Sequence, residues 1–290
     1  MERINMRHTI MTVCIAVVIA AGVTPITVAS PPLAPKDATP SQVLDYLMDQ
    51  SIWGNAIMVP DEFWIPHNEA IDRIRSAPDL YAAEIERRVE LPATYEEATR
   101  LSIDELRKIA TTSVNTLWYL RFVGRDFAEP VLRRVHDKAS ALAEAVWGRL
   151  VPLAPPEVQH APPPGVTAAE WSDRFMRLYE PMNAFQGIVI QCVTIAGELE
   201  SPIFVDACLR ELAQAGEDRF RYQTPWGVYV DYTAKFARQR PDVAPRLMLV
   251  KDRWKDNPTR DWQVDDLIQD IDRALERISR SAPGRTGDGG

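Results

Sequence analysis

Gln191 to Leu212 reads QCVTIAGELESPIFVDACLREL. An uncharged, largely apolar run reaches Gly197, acidic residues follow at Glu198 and Glu200, Pro202 interrupts, and a second apolar-periodic run places Leu209 beside Arg210. Glycine accommodates a left-handed helix stop, and proline suits the first turn of a new helix. The stretch therefore predicts two antiparallel helices joined by a tight turn. Leu117 to Val135, LWYLRFVGRDFAEPVLRRV, repeats the plan around Gly124 and Pro130.

Helix starts are written along the rest of the chain in the same chemistry. Thr39-Pro40, Ser201-Pro202 and Thr224-Pro225 each offer a capping hydroxyl before a proline at the first helical position. Ser102 with Glu105, and Thr167 with Glu170, have the spacing of a capping box. Apolar residues recur at helical spacing through Leu106, Ile109, Ala110, Leu117 and Leu120, and again through Val131, Leu132, Val135, Leu142 and Val146. Further amphipathic stretches cover 81–89, 175–196, 203–213, 226–237, 247–254 and 262–278. Val228, Tyr229 and Val230 would tolerate a strand, but the Thr-Pro start and Phe236 favour a helix there. The expected fold is all-α, built of antiparallel helical hairpins.

Domain organisation follows from prolines and charge. Arg3 and Arg7 precede an uncharged run from Thr9 to Val23, and Thr27 and Ala29 are small residues suited to cleavage. Residues 1–29 thus have the layout of a signal peptide, with an uncleaved N-terminal anchor as the alternative. Either implies an exported protein, periplasmic or extracellular. Residues 30–39 read as an extended leader, 40–150 as an N-terminal helical region and 167–280 as a C-terminal one. Between these two regions, residues 151–166 hold six prolines, at 152, 155, 156, 162, 163 and 164, which no helix passes through. Residues 281–290 form a polar, glycine-rich tail with the composition of disorder.

The two hairpins resemble the helix-turn-helix unit of HEAT-type and armadillo-type repeats. The resemblance covers about half the chain and implies stacked hairpins, in an irregular solenoid, that offer a surface to a protein or peptide partner. The spacing of Gly124 and Gly197 exceeds the roughly 40 to 47 residues of such repeats, so an array would be interrupted by the proline segment.

Composition bounds the chemistry. The chain has 290 residues, 46% hydrophobic, and a formal charge of −8. It is long enough to build its core without a cofactor, and acidic enough to repel phosphate backbones and anionic lipid, which argues against nucleic-acid and membrane-surface partners. No His-Glu-x-x-His, paired Cys-x-x-Cys, Gly-x-Ser-x-Gly or phosphate-binding glycine loop occurs, so neither a metal nor a cofactor is called for. Cys192 and Cys208 lie eight residues either side of position 200. They would come level across the hairpin, either as a disulfide in an oxidising compartment or as two buried thiols facing different neighbours. Phe63 and Trp64, between Pro60 and Pro66, are the candidate exposed binding residues. The expected function is a non-catalytic binding or scaffold protein. The alternative is an exported hydrolase or lyase drawing its acid and base from Asp61, Glu62 and His67.

Overall fold

In a computed structural model of the chain, residues 36–51, 64–150, 165–214, 226–255 and 262–280 are described. All regular structure among them is helical. The first group comprises α1 (Pro40–Ser51), α2 (Trp64–Ser76), α3 (Pro78–Arg88), α4 (Tyr95–Ala98), α5 (Ile103–Leu117) and a 3-10 turn at Trp118–Phe122. After these come α6 (Arg125–Leu150), α7 (Ala168–Glu198), α8 (Val205–Gln214), α9 (Trp226–Lys235), α10 (Val243–Lys255) and α11 (Trp262–Arg280). The fold is all-α, and among the described residues no helix is long and apolar enough to cross a membrane. The signal-peptide or anchor segment 1–29, most of the leader, residues 151–164 and the tail 281–290 lie outside the described residues.

The longest helices, α6 and α7, form the spine. They run antiparallel: Ser201, just past α7, bonds Glu129 at the start of α6, while Trp147 and Met182 meet in one cavity at the other end. Buried Leu132, Val135, Ala139, Leu142 and Val146 of α6 repeat every three or four residues, the interval that places side chains on one helix face. α3 lies on α6, fastened by Arg134 to Glu86, and α5 lies on α7, fastened by Arg107 to Glu180. On the opposite flank α9 packs on α7 and α8, and α11 covers α9 and α10. α11 buries Val264, Leu267, Ile268, Ile271 and Ala274 on a single stripe.

The capping chemistry explains several of the helix starts. Thr39 Oγ1 accepts from Gln42 N as α1 opens at Pro40, and both capping boxes, Ser102 with Glu105 and Thr167 with Glu170, are formed. Gly124 has φ +85°, the left-handed stop expected of it. Pro130 does not open a helix: α6 begins at Arg125, directly after Gly124, and carries Pro130 inside it at the cost of a backbone hydrogen bond. Nor is Ser201 a cap, because α8 starts at Val205 and the Ser201 hydroxyl is turned away, donating to Glu129 Oε1 at 2.5 Å.

The end of α7 differs from expectation most. Gly197 lies inside the helix, and the left-handed residue is Glu200, φ +54°. Ser201 N donates to Ala196 O at 2.9 Å and Glu200 N to Gly197 O at 3.3 Å, the paired bonds of a Schellman motif. A left-handed conformation crowds a Cβ, so exposed Glu200→Gly is expected to stabilise the protein by about 1 kcal/mol, read as a higher urea midpoint. A lower midpoint would mean that the Glu200 side chain contributes more than its backbone costs.

Candidate functional site

Four helices, α6 to α9, wall a cavity of about 360 Å³. α6 contributes a polar ladder along one face, His136, Ser140 and Glu144 at intervals of four residues, ending at half-buried Trp147. Met182, Val189, Cys208 and Tyr229, all buried, make the floor from α7, α8 and α9. Asp137, Glu144 and Arg210 stand exposed at its edge, so the cavity is a groove with an apolar base and a charged rim.

His136 is 8% exposed, its ring stacked on Phe204 at a centroid distance of 4.2 Å, and its Nδ1 lies 3.1 Å from Asp137 Oδ1. Burial lowers its pKa, and the Asp137 carboxylate offsets this only in part. The ring is therefore neutral at pH 7 and the Asp137 charge is left unneutralised by it. Burial pushes the Cys208 thiol up, with a further contribution from Glu211, and raises the Tyr229 phenol too, helped by Cys208, Glu211 and Cys192. Both groups are protonated at neutral pH and present a neutral surface.

Tyr232 fixes the wall that α8 contributes. Its hydroxyl donates to Ser201 O at 2.6 Å and accepts from Phe204 N at 3.1 Å, tying α9 to the turn before α8. Gly197 makes room for it: a Cβ there would stand 3.3 Å from Tyr232 Cδ2. Glu129 holds the same turn from α6. Burial raises its carboxyl, but hydrogen bonds from Ser201 and Arg125 outweigh that and keep it below the usual carboxylate range.

Of the residues singled out in the sequence, only Cys208 is among those that line the groove. Asp61, Glu62 and Phe63 are outside the described residues, as is the side chain of Trp64, which opens α2. His67 is half-buried on α2, its pKa lowered by burial. Cys192 and Cys208 are both buried and are free thiols in this structure. Each also feels a different carboxylate, Asp137 for Cys192 and Glu211 for Cys208. Among the described residues no group of three or more His, Cys, Asp or Glu side chains is placed to hold a metal ion.

A second cleft, of about 480 Å³, opens between α9 and α11. Two of its cations are already engaged, Lys235 with Gly197 O and Arg277 with Asp231. It has no aromatic or large apolar floor beyond Ile278, so the α6 to α9 groove is the stronger site.

No family model, curated protein or solved structure matches this chain.

Proposed function

We propose that the protein is an exported, non-catalytic binding protein, and that the groove between α6, α7, α8 and α9 holds a segment of a protein or peptide partner. The observation that carries this reading is the composition of the groove. Its volume, about 360 Å³, falls within the roughly 300–1,000 Å³ of sites that enclose small ligands or side chains. Its base is apolar and its charges are confined to the edge, the layout in which burial supplies affinity and the rim supplies orientation.

The titration of its residues favours binding over catalysis. A nucleophilic cysteine needs its thiol lowered, yet burial moves Cys208 the other way. Tyr229 is likewise moved away from the range of a general base. His136 has its ring packed on Phe204 and one nitrogen engaged with Asp137. The resemblance of the sequence from Gln191 to Leu212 to HEAT-type units is what suggests a docking role.

Selection from a phage-displayed random dodecapeptide library on the full chain tests the proposal. Enriched peptides are expected to bind with Kd on the order of 1–10 μM. Ala207→Phe, which fills the groove, is expected to weaken them roughly thirtyfold or more, about 2 kcal/mol. Ala141→Trp does the same from the exposed rim without burdening the core. Absence of enrichment, or peptides that bind wild type and both variants equally, would overturn the reading.

A further inference from the structure

His136 brings to the groove a hydrogen-bond acceptor that nothing among the described residues occupies. One face of its ring lies on Phe204, and Nδ1 is held by Asp137 Oδ1. A carboxylate only accepts, so in the neutral ring Nδ1 carries the hydrogen and Nε2 keeps its lone pair. That lone pair has no partner, in a residue that lines the cavity and is itself more than nine-tenths buried. A buried acceptor in this state gains from any donor an occupant supplies.

The charges around it are specific as well. Asp137 is exposed and meets the neutral imidazole but no lysine or arginine among the described residues, because its neighbours Arg134 and Lys138 are bonded to Glu86 and to Leu91 O. Arg210, exposed on α8, pairs with no carboxylate among the described residues, and its charge is near enough to His136 to lower that pKa. Glu144 and Glu211 are already engaged. One carboxylate and one guanidinium are therefore left to meet an occupant, over an apolar base of Met182 and Val189. The first residue of a peptide matches this set, since its ammonium, its side chain and its carbonyl all spring from one Cα.

We infer that the groove captures the free N-terminus of a peptide or protein whose first side chain is apolar. The ammonium meets Asp137 and the Nε2 of His136, the side chain enters over Met182 and Val189, and the first carbonyl accepts from Arg210. This rests on the binding role proposed above. A segment from the middle of a chain has only neutral N–H groups for Asp137, and a C-terminal carboxylate brings like charge toward it.

The dodecapeptide selection tests this when the peptides are fused to the coat protein through their C-termini, leaving the N-termini free, and is run on the full-length wild type and on Ala207→Phe. Wild type is expected to enrich an apolar first residue. A synthetic copy of one selected peptide, amidated at its C-terminus, is then compared with its des-amino analogue, which lacks only the ammonium. The analogue is expected to bind wild type roughly thirtyfold more weakly, but Asp137→Asn only roughly threefold more weakly, because the charge that the ammonium meets is gone there. Free leucine is expected to bind wild type roughly tenfold or more weaker than the peptide, whose later residues add contacts at the rim. Peptides that are lost on Ala207→Phe but show no preference at the first position, or lose the same factor with the ammonium on Asp137→Asn as on wild type, would overturn this inference and leave the binding role standing. Leucine bound as tightly as the peptide would overturn it in favour of a free amino acid. No selection that is sensitive to Ala207→Phe would overturn both readings. Asp137 is an exposed position, and an unchanged circular dichroism spectrum and thermal midpoint of Asp137→Asn will confirm that the fold is retained.

Discussion

Tyr232→Ala is expected to lower the unfolding free energy by about 4 kcal/mol and the thermal midpoint by about 10 °C. Two effects add. The ring is 5% exposed, sits against Gly197 and meets Phe236 edge-on at 5.1 Å between centroids, so its removal empties a cavity between α7 and α9. Its hydroxyl also satisfies both Ser201 O and Phe204 N, in residues that are 0% and 3% exposed. A buried carbonyl and a buried N–H left without partners cost more than the net value of the bonds themselves. Tyr232→Phe separates the terms, since it keeps the packing and is expected to cost about 2 kcal/mol. Equal stability of Tyr232→Phe and wild type would show that water reaches this turn. Because Phe204 also stacks on His136 and α8 follows directly, both variants should weaken any ligand of the groove while leaving α1 to α5 in place.

This residue also marks where the sequence stops being informative. Helix class and several helix boundaries were legible because capping is local: Thr39, Ser102, Thr167 and Gly124 act on residues within four positions of themselves. Gly197 looked like a second Gly124, but its lack of a side chain serves the approach of a tyrosine 35 positions away along the chain. The left-handed turn fell instead on Glu200, a residue type with no propensity to announce it. Pro130 misled for the opposite reason, since a helix already under way tolerated it. The groove was half visible. His136, Ser140 and Glu144 form a helical polar row in the sequence, next to the apolar stripe of α6. That row reads as a solvated face until α7, α8 and α9 supply an opposite wall, and no local pattern specifies their register. Cys192 and Cys208 show the same limit, because helix rotation, which the sequence leaves open, decides which carboxylate each thiol faces.

The N-terminal flank should unfasten at low pH through one carboxylate. Arg88 is only 12% exposed and ties α3 to α1. It donates to Glu84 Oε1 at 2.9 Å, to Asp45 Oδ1 at 2.8 Å, and to Ser41 O at 2.7 Å and Oγ at 2.5 Å. Glu84, 14% exposed, also receives two bonds from Arg87, each 2.8 Å. The Arg87 hydrogen bonds lower its pKa most; burial opposes them, and bonds from Arg88 and Ser41 add to the lowering, to about 2. A carboxyl with a depressed folded-state pKa is protonated first in the unfolded chain. Its contribution is therefore complete above about pH 4.5 and is lost as pH falls toward 2. With the exposed Arg87 side discounted for solvent screening, that contribution is about 2 kcal/mol. Glu84→Gln is thus expected to be less stable than wild type by this amount at pH 7, and roughly three quarters of the gap between the two urea-unfolding free energies should have closed by pH 2.5. Arg88→Met keeps the apolar stem but removes the bonds to Asp45 and Ser41 that tie α3 to α1, and should cost about 3 kcal/mol at pH 7. Curves for Glu84→Gln and wild type that stay parallel from pH 7 to pH 2.5 would show that the Glu84 charge does not hold α1 and α3 together. A loss confined to Arg88→Met would assign that task to the Ser41 and Asp45 contacts alone.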